Sequence, residues 1–442
     1  GGRLDTNGFD TTISQSITGP GFFSKYGAGT LTFTAANTFS SLGIYGGAVE
    51  VSANNQLGAG TSAVSINNGA TLRTASSFAV NRFLGVYSGA SVLDVTNAAA
   101  TLNWASQIYG TGALAKAGAG TLVLHAGNIY SGGTIISGGT LAINGDSALG
   151  AANGGLTFDG GTLQFLAGFD ITSARAITLN AGGGTVHTNG FSSSTSGPIG
   201  GSGGLTKIGT GTLTLSGTNT YTGGTFLNAG TLAISVDGNL GDAAGRVTFN
   251  GGTLQFAAST TLANTRPMTM NADGVIDTNG FDAGIAGVIG GLGGLVKNGT
   301  GTLFLAAGNT YLGGTTINGG AISISASTAM GNAASTITFN GGTLLTPVDI
   351  SLNQGIVLAG SGTIVNNAIT RLNGVVSGSG DLTKSGSGVL ALIAANTFTG
   401  RLVVNQSVVV LQDGVLLGNI AVASGASVNF QDYTFARSST YA

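Results

Sequence analysis

One phrase returns along this chain every ninety residues, and that regularity constrains the fold more than any other feature. Gly204-Leu-Thr-Lys-Ile-Gly-Thr-Gly-Thr-Leu-Thr-Leu215 reappears as Gly294-Leu-Val-Lys-Asn-Gly-Thr-Gly-Thr-Leu-Phe-Leu305. Looser copies surround Lys25, Lys116 and Lys384, so the five lysines stand 91, 91, 90 and 87 residues apart. A second phrase keeps the same step: Asn37-Thr-Phe39, Asn128-Ile-Tyr130, Asn219-Thr-Tyr221, Asn309-Thr-Tyr311 and Asn396-Thr-Phe398. Self-similarity at a fixed period is the mark of an architecture whose units stack on their neighbours.

A finer period lies inside the large one. Short Gly-Thr-Leu-x-Leu segments centre on Leu122, Leu141, Leu163 and Val186, and again on Leu213, Leu232, Leu254, Ile276 and Leu303. Steps run from 19 to 27 residues, with a mean near 22. Within each segment the apolar residues alternate with Thr, Gln, Ala or Ser, the period of a half-buried strand. Helical spacing is nowhere sustained, and Gly and β-branched residues stand where helix formers would be needed. A step of about 22 residues with short strands and corners is one coil of a parallel β-solenoid. Twenty such coils at ~4.8 Å each predict a rod about 95 Å long. The expected organisation is one continuous solenoid over 1–442, in units 1–20 (partial), 21–111, 112–202, 203–292, 293–379 and 380–442 (partial). Because it starts and stops in mid-unit, the chain is expected to be part of something longer.

Corner residues agree with this reading. Asn68, Asp159, Asn228, Asn250, Asn318 and Asn340 each stand four residues before a marker leucine or isoleucine position, close to Gly. Asn, Asp and Gly accept left-handed backbone geometry at low cost. Asn228 with Asn250, and Asn318 with Asn340, fall in neighbouring coils, where their amides can form a hydrogen-bonded ladder.

Composition removes several functions. Of 442 residues, 14 are Lys or Arg and 16 are Asp or Glu, so no basic footprint for nucleic acid exists. No polybasic membrane patch exists either, and no apolar run is long enough for a membrane-spanning helix. Gly is abundant, 81 residues, but not at every third position, which excludes collagen. The chain is 42% apolar and nearly neutral, which argues against charge-driven disorder.

The residues offer little chemistry. His125 and His187 fall at positions that sister repeats fill with Ser216 and Ala306, or with Asp5 and Asp277, and read as solvated corners. No metal motif, no G-x-S-x-G and no carboxylate cluster occurs, and Glu50 is the sole Glu. A catalytic site, a metal site and a cofactor are therefore not expected. The sharpest polar regularity is the lysine series, Lys25, Lys116, Lys207, Lys297 and Lys384. With ninety residues taken as four coils, it predicts a row along one edge, a contact ladder for anionic glycans or a neighbouring molecule. The same row also reads as solvated corner charge that blocks edge-to-edge aggregation. Arg82, Arg175 and Arg266 form a second such series. The Asn-x-aromatic phrase reads either as sugar-stacking exposed rings or as rings packed over their own corner loop.

The stretch 209–225, Gly-Thr-Gly-Thr-Leu-Thr-Leu-Ser-Gly-Thr-Asn-Thr-Tyr-Thr-Gly-Gly-Thr, closed by Asn-Ala-Gly-Thr-Leu-Ala-Ile (228–234), resembles the autotransporter-associated β-strand repeat. Equivalent stretches lie at 118–143 and 299–324 and, more loosely, at 27–51 and 386–410. The resemblance implies a right-handed parallel β-helix, an autotransporter passenger displayed at the surface of a Gram-negative bacterium or secreted from it. It implies a structural or adhesive role, with host or neighbouring-cell glycans or proteins, or further copies of the chain, as partners. It carries no catalytic residues to transfer, and the chain has no segment of the translocating-barrel kind. Two other readings remain open at this point: a filament subunit stacking end to end, and a glycan-degrading β-helix enzyme.

Overall fold

The computed structural model describes residues 1–125, 127–412 and 419–431. It is an all-β parallel solenoid of about 21 turns. Two compact units divide the chain, Gly1–Thr225 and Phe226 onward.

In the first unit strands of four parallel sheets surround the core. One runs from Gly2–Asp5 through Phe22–Tyr26, Ser41–Ile44, Ala63–Ile66 and Leu84–Val86 to Ile108–Tyr109. The second takes ten strands from Thr11–Ile13 to Ile199–Gly200, the third runs within this unit from Phe78–Val80 to Leu205–Ile208, and the fourth runs within it from Asp170–Ile171 to Thr212–Leu215. The second unit repeats the plan with sheets from Thr231–Ile234 to Val376–Gly378, from Thr260–Leu262 to Ile420–Val422, and from Ile350–Leu352 to Ser427–Gln431. Helical geometry among the described residues is confined to single 3₁₀ turns at Asn54–Leu57, Asp146–Leu149, Asp237–Leu240 and Ser327–Met330.

The core is made of columns. Leu122, Leu141, Leu163 and Val186 pair in register, one above the next, and all are buried. In the second unit Leu232, Leu254 and Ile276 do the same. No strand could bury such a residue alone; stacking turns each strip into a shared dry interior.

Register corrects the expected row of lysines. Four coil steps carry the column from Leu122 to Lys207, a distance of 85 residues. The repeat from Lys116 to Lys207 is 91 residues, so six residues are left over. Those six carry the phrase round a corner onto the next sheet. The 27-residue step is the visible trace of this: Ile276 pairs with Lys297, whereas Leu303 belongs to the adjoining sheet and pairs with Ala283 and Ile322. Ninety residues are therefore four coils plus one face. In the first unit Lys25, Lys116 and Lys207 lie on three different sheets, and in the second Lys297 and Lys384 lie on two.

Candidate functional site

The lysines also differ from expectation in direction. By strand phase Lys207 shares the parity of Leu205, and it points inward with it; all five lysines are 0–1% exposed. Neither a solvated corner charge nor an exposed contact ladder matches that position. An ammonium has three donors and no acceptor, so inside the protein it must find oxygens. The corner supplies them. A left-handed glycine follows each lysine strand (Gly27, Gly118, Gly209, Gly299, Gly386, φ between 74° and 85°), a conformation that glycine adopts without steric cost. In every case the lysine Nζ donates to that glycine's carbonyl. Lys116 also reaches Ala117 O at 2.7 Å and Gly138 O of the next coil at 3.1 Å. Lys297 reaches Asn298 O, Gly319 O of the next coil and the Thr278 hydroxyl of the coil before. Lys25 bridges Gly29 O and Gly46 O in the same manner.

Burial pushes Lys116, Lys207 and Lys297 down to about 8, with Asp94 opposing the shift at Lys116 and Asp277 and Asp282 opposing it at Lys297. Lys25 and Lys384 are lowered for the same cause, Asp5 and Asp10 opposing at Lys25. At neutral pH Lys116, Lys207 and Lys297 therefore remain ammonium groups held in carbonyl cages, fastening coils together.

The arginines do the same work at another corner. Arg82, Arg175 and Arg266 are at most 2% exposed. Arg266 Nε donates to Asp237 Oδ1 at 2.7 Å, and its two Nη atoms serve the carbonyls of Leu240, Gly241 and Gly245. Arg175 treats Asp146, Leu149, Gly150 and Gly154 likewise, and Arg82 treats Asn54, Leu57, Ala59 and Ser62. Each guanidinium thus satisfies the free carbonyls at the end of the 3₁₀ turn one coil earlier. At the fourth turn Ser327 stands in the acid's place, and buried Gln354 stands in the arginine's.

The Asn-x-aromatic phrase lies on the side where regular strand pairing lapses, and the asparagine amide takes over. Asn128 Oδ1 accepts from Ile108 N of the coil before at 2.8 Å, and Nδ2 donates to Ala148 O of the coil after at 2.7 Å. Asn37 and Asn309 bridge three coils in the same way. Tyr130, Tyr221 and Tyr311 are fully buried, each phenol 2.6–2.7 Å from a threonine hydroxyl four residues on. These rings pack inside their own coil and offer nothing to a sugar.

The corner residues singled out by sequence all lie outside. Asn250 Nδ2 donates to Asn228 Oδ1 at 2.7 Å, and Asn271 continues the run at 2.9 Å. Asn318 joins Asn298 and Asn340 at 2.9 and 3.3 Å. Asp159 accepts from Gly182 N, and Asn68 exchanges hydrogen bonds with Ser88. Of these six only Asn68 is left-handed; elsewhere a following glycine such as Gly160, Gly230, Gly251 or Gly341 takes the positive φ. His187 is hydrogen-bonded to Gln164 at 3.1 Å, and burial followed by nearby Lys207 lowers its pKa. His125 is exposed. Among the described residues no three His, Cys, Asp or Glu side chains gather as a metal site, and no helix is long and apolar enough to cross a membrane.

With this geometry in place the comparisons become informative. The passenger-associated-transport-repeat model matches five stretches, 23–53, 114–143, 205–234, 295–324 and 382–408. Each opens two residues before a caged lysine and contains one of the Asn-x-aromatic phrases just described. The chain carries autotransporter passenger repeats. Similarity extends beyond them: the Adhesin BmaC autotransporter of Brucella suis biovar 1 (strain 1330) is 35% identical over 463 residues. That match covers 90% of this chain but 13% of the adhesin, so this passenger segment spans about an eighth of that relative's length. No solved structure matches the chain.

Proposed function

We propose that this passenger segment is a non-enzymatic adhesive scaffold, exported through the outer membrane of a Gram-negative bacterium and held outside the cell. The observation that carries the reading is the 35% identity to an autotransporter adhesin across nine-tenths of the chain. The placement of charge supports it. Eight of the fourteen basic residues are spent inside on backbone carbonyls and carboxylates, and the outward strand positions are mostly Thr, Ser, Asn and Gln. Such rows suit contact by hydrogen bonding and shape, not by long-range charge. A chain without Cys forms no disulfide that would obstruct passage through a narrow pore, and coil-by-coil folding then proceeds outside.

Adhesion of coated beads tests the proposal. Beads carrying the purified segment should adhere to epithelial monolayers or to bacteria several-fold more than beads carrying albumin. Binding at the albumin level on every surface tried would overturn it.

A further inference from the structure

The lysine and asparagine columns supply a standard against which one face is anomalous. In the fourth repeat the outward residues after the inward core residues are Asn298 after Lys297, Asn318 after Ile317, Asn340 after Phe339 and Ala359 after Leu358. In the first repeat the same slots follow Lys25, Ile44, Ile66 and Val86, and they hold Tyr26, Tyr45, Asn67 and Tyr87. The scaffold therefore needs only a small residue at these positions. Here it carries phenols.

The substitution is concentrated on one sheet. Of nine tyrosines, Tyr433 and Tyr441 fall outside the described residues, and Tyr130, Tyr221 and Tyr311 are the buried repeat tyrosines. Of the remaining four, Tyr26 and Tyr109 lie in strands of the first sheet of the first unit, and Tyr45 and Tyr87 immediately follow two others. Phe22 begins a strand of the same sheet, Phe83 stands just before another, Leu84–Val86, and they are 60% and 54% exposed. Sister repeats put Ala113, Gly204 and Gly294 in the slot of Phe22. Exposed rings are costly, and clustered ones on a soluble surface mark contact sites.

Local geometry shows that the rings are arranged and not merely present. Tyr26 and Tyr45 stack at 4.8 Å and 5°, and the Arg3 guanidinium lies 4.1 Å from the Tyr26 ring centroid. Tyr87 meets Tyr109 edge to face at 6.2 Å. Gly43 and Gly85 make room: a Cβ on either would come within 2.7 Å of the tyrosine two residues on. Between the rings sits Asn67, whose Nδ2 is buried without a hydrogen-bond partner. From Phe22 to Tyr109 the outward face of this sheet carries no charged residue.

We propose that this face binds a neutral, extended β-linked glycan chain lying along the coil axis. The inference rests on the adhesive reading above and names its partner class. Exposed Phe22, Phe83 and Tyr87 offer rings to the apolar C–H faces of sugars, and the tyrosine phenols with Ser41 and Ser65 offer hydroxyls to the sugar hydroxyls. One sugar residue of such a chain is close in length to the ~4.8 Å between strands, so a chain lying along the axis spans the coils from Phe22 to Phe83 and meets a ring at each end. The strands from Phe22 to Tyr109 offer no outward cation to an acidic glycan, Arg3 of the first strand is stacked on Tyr26, and rings spread along the coil axis suit an extended polymer.

The test uses the whole segment and substitutions that sister repeats already tolerate: Phe22→Ala, Tyr45→Asn and Tyr87→Asn combined. Affinity electrophoresis and calorimetry with chitohexaose, cellohexaose and a β-linked galactan are compared with heparin. Wild type should bind at least one neutral probe, and the triple variant should lose tenfold or more while keeping its circular dichroism and melting temperature. Asn318→Ala, on the equivalent column of a later repeat, should bind as wild type. Binding only to heparin, no binding to any neutral probe, or equal binding by the triple variant would overturn the proposal. Bead adhesion separates it from the parent reading. Adhesion that survives glycosidase treatment of the target but not protease treatment keeps the adhesin and removes the glycan. Loss of all adhesion removes both.

Discussion

Arg266 gives the sharpest test of how charge holds the coils. Arg266→Gln deletes a guanidinium that is wholly buried and bonded to Asp237 at 2.7 and 3.1 Å and to three carbonyls at 3.0–3.1 Å. Breaking a buried pair costs about 3–5 kcal/mol, since the partner is left charged and unpaired. Asp237 keeps 21% side-chain exposure and can partly rehydrate, so about 3 kcal/mol is expected. That is a rise of roughly a hundredfold in local opening. The fourth turn suggests its own rescue, because Ser327 and Gln354 occupy the two positions there. Asp237→Ser with Arg266→Gln should recover about half the loss, so the coupling in the double-mutant cycle is that recovery of about 1.5 kcal/mol plus whatever Asp237→Ser costs alone. Hydrogen exchange of amides between 237 and 266, read at constant pH, reports local opening without assuming that the whole solenoid unfolds together. Protection in Arg266→Gln within threefold of wild type, or a cycle additive to within about 0.5 kcal/mol, would refute the clamp.

Other outcomes follow from the same accounting of polar groups. The lysines set a pH dependence. For Lys116, Lys207 and Lys297 the folded pKa of about 8 lies below the unfolded 10.5, so the unfolded chain binds more protons between those values and stability rises with pH there. In urea titrations between pH 8 and 9.5, each lysine should add up to about 1.4 kcal/mol per pH unit, and Lys297→Met should remove one share. A fall in stability over that window sinks the assignment. Asn309→Ala strips a buried bridge from Ile289 N and Ala329 O and should cost about 2–5 kcal/mol in local hydrogen exchange. Asn250→Ala, on the exposed ladder, should cost under about 1 kcal/mol. Equal losses for the two would show that burial does not set the cost.

Much of the fold was legible in the residues. Alternation of Leu with Thr gave the strands, Gly-Thr-Gly the corners, and the repeat the stacking, since no single strip could be buried alone. The inward lysine was legible too, because Lys207 has the parity of Leu205; a charge on a corner simply looked solvated. The arginine clamps were not. Arg266 and Asp237 are 29 residues apart in sequence, and nothing local announces that one coil's guanidinium ends another coil's turn.

The sequence by itself determined that this chain coils into parallel β layers and which residues recur, because strand alternation and glycine corners are local properties. Only the tertiary structure decided where the recurring residues face. Six residues beyond four full coils rotate each repeat onto a new sheet, and that remainder is the sum of all the intervening corners. It disperses the lysines around the core instead of lining them up. Register along one sheet likewise brings Tyr26, Tyr45, Tyr87 and Tyr109, spread over more than eighty residues, onto a single outward surface.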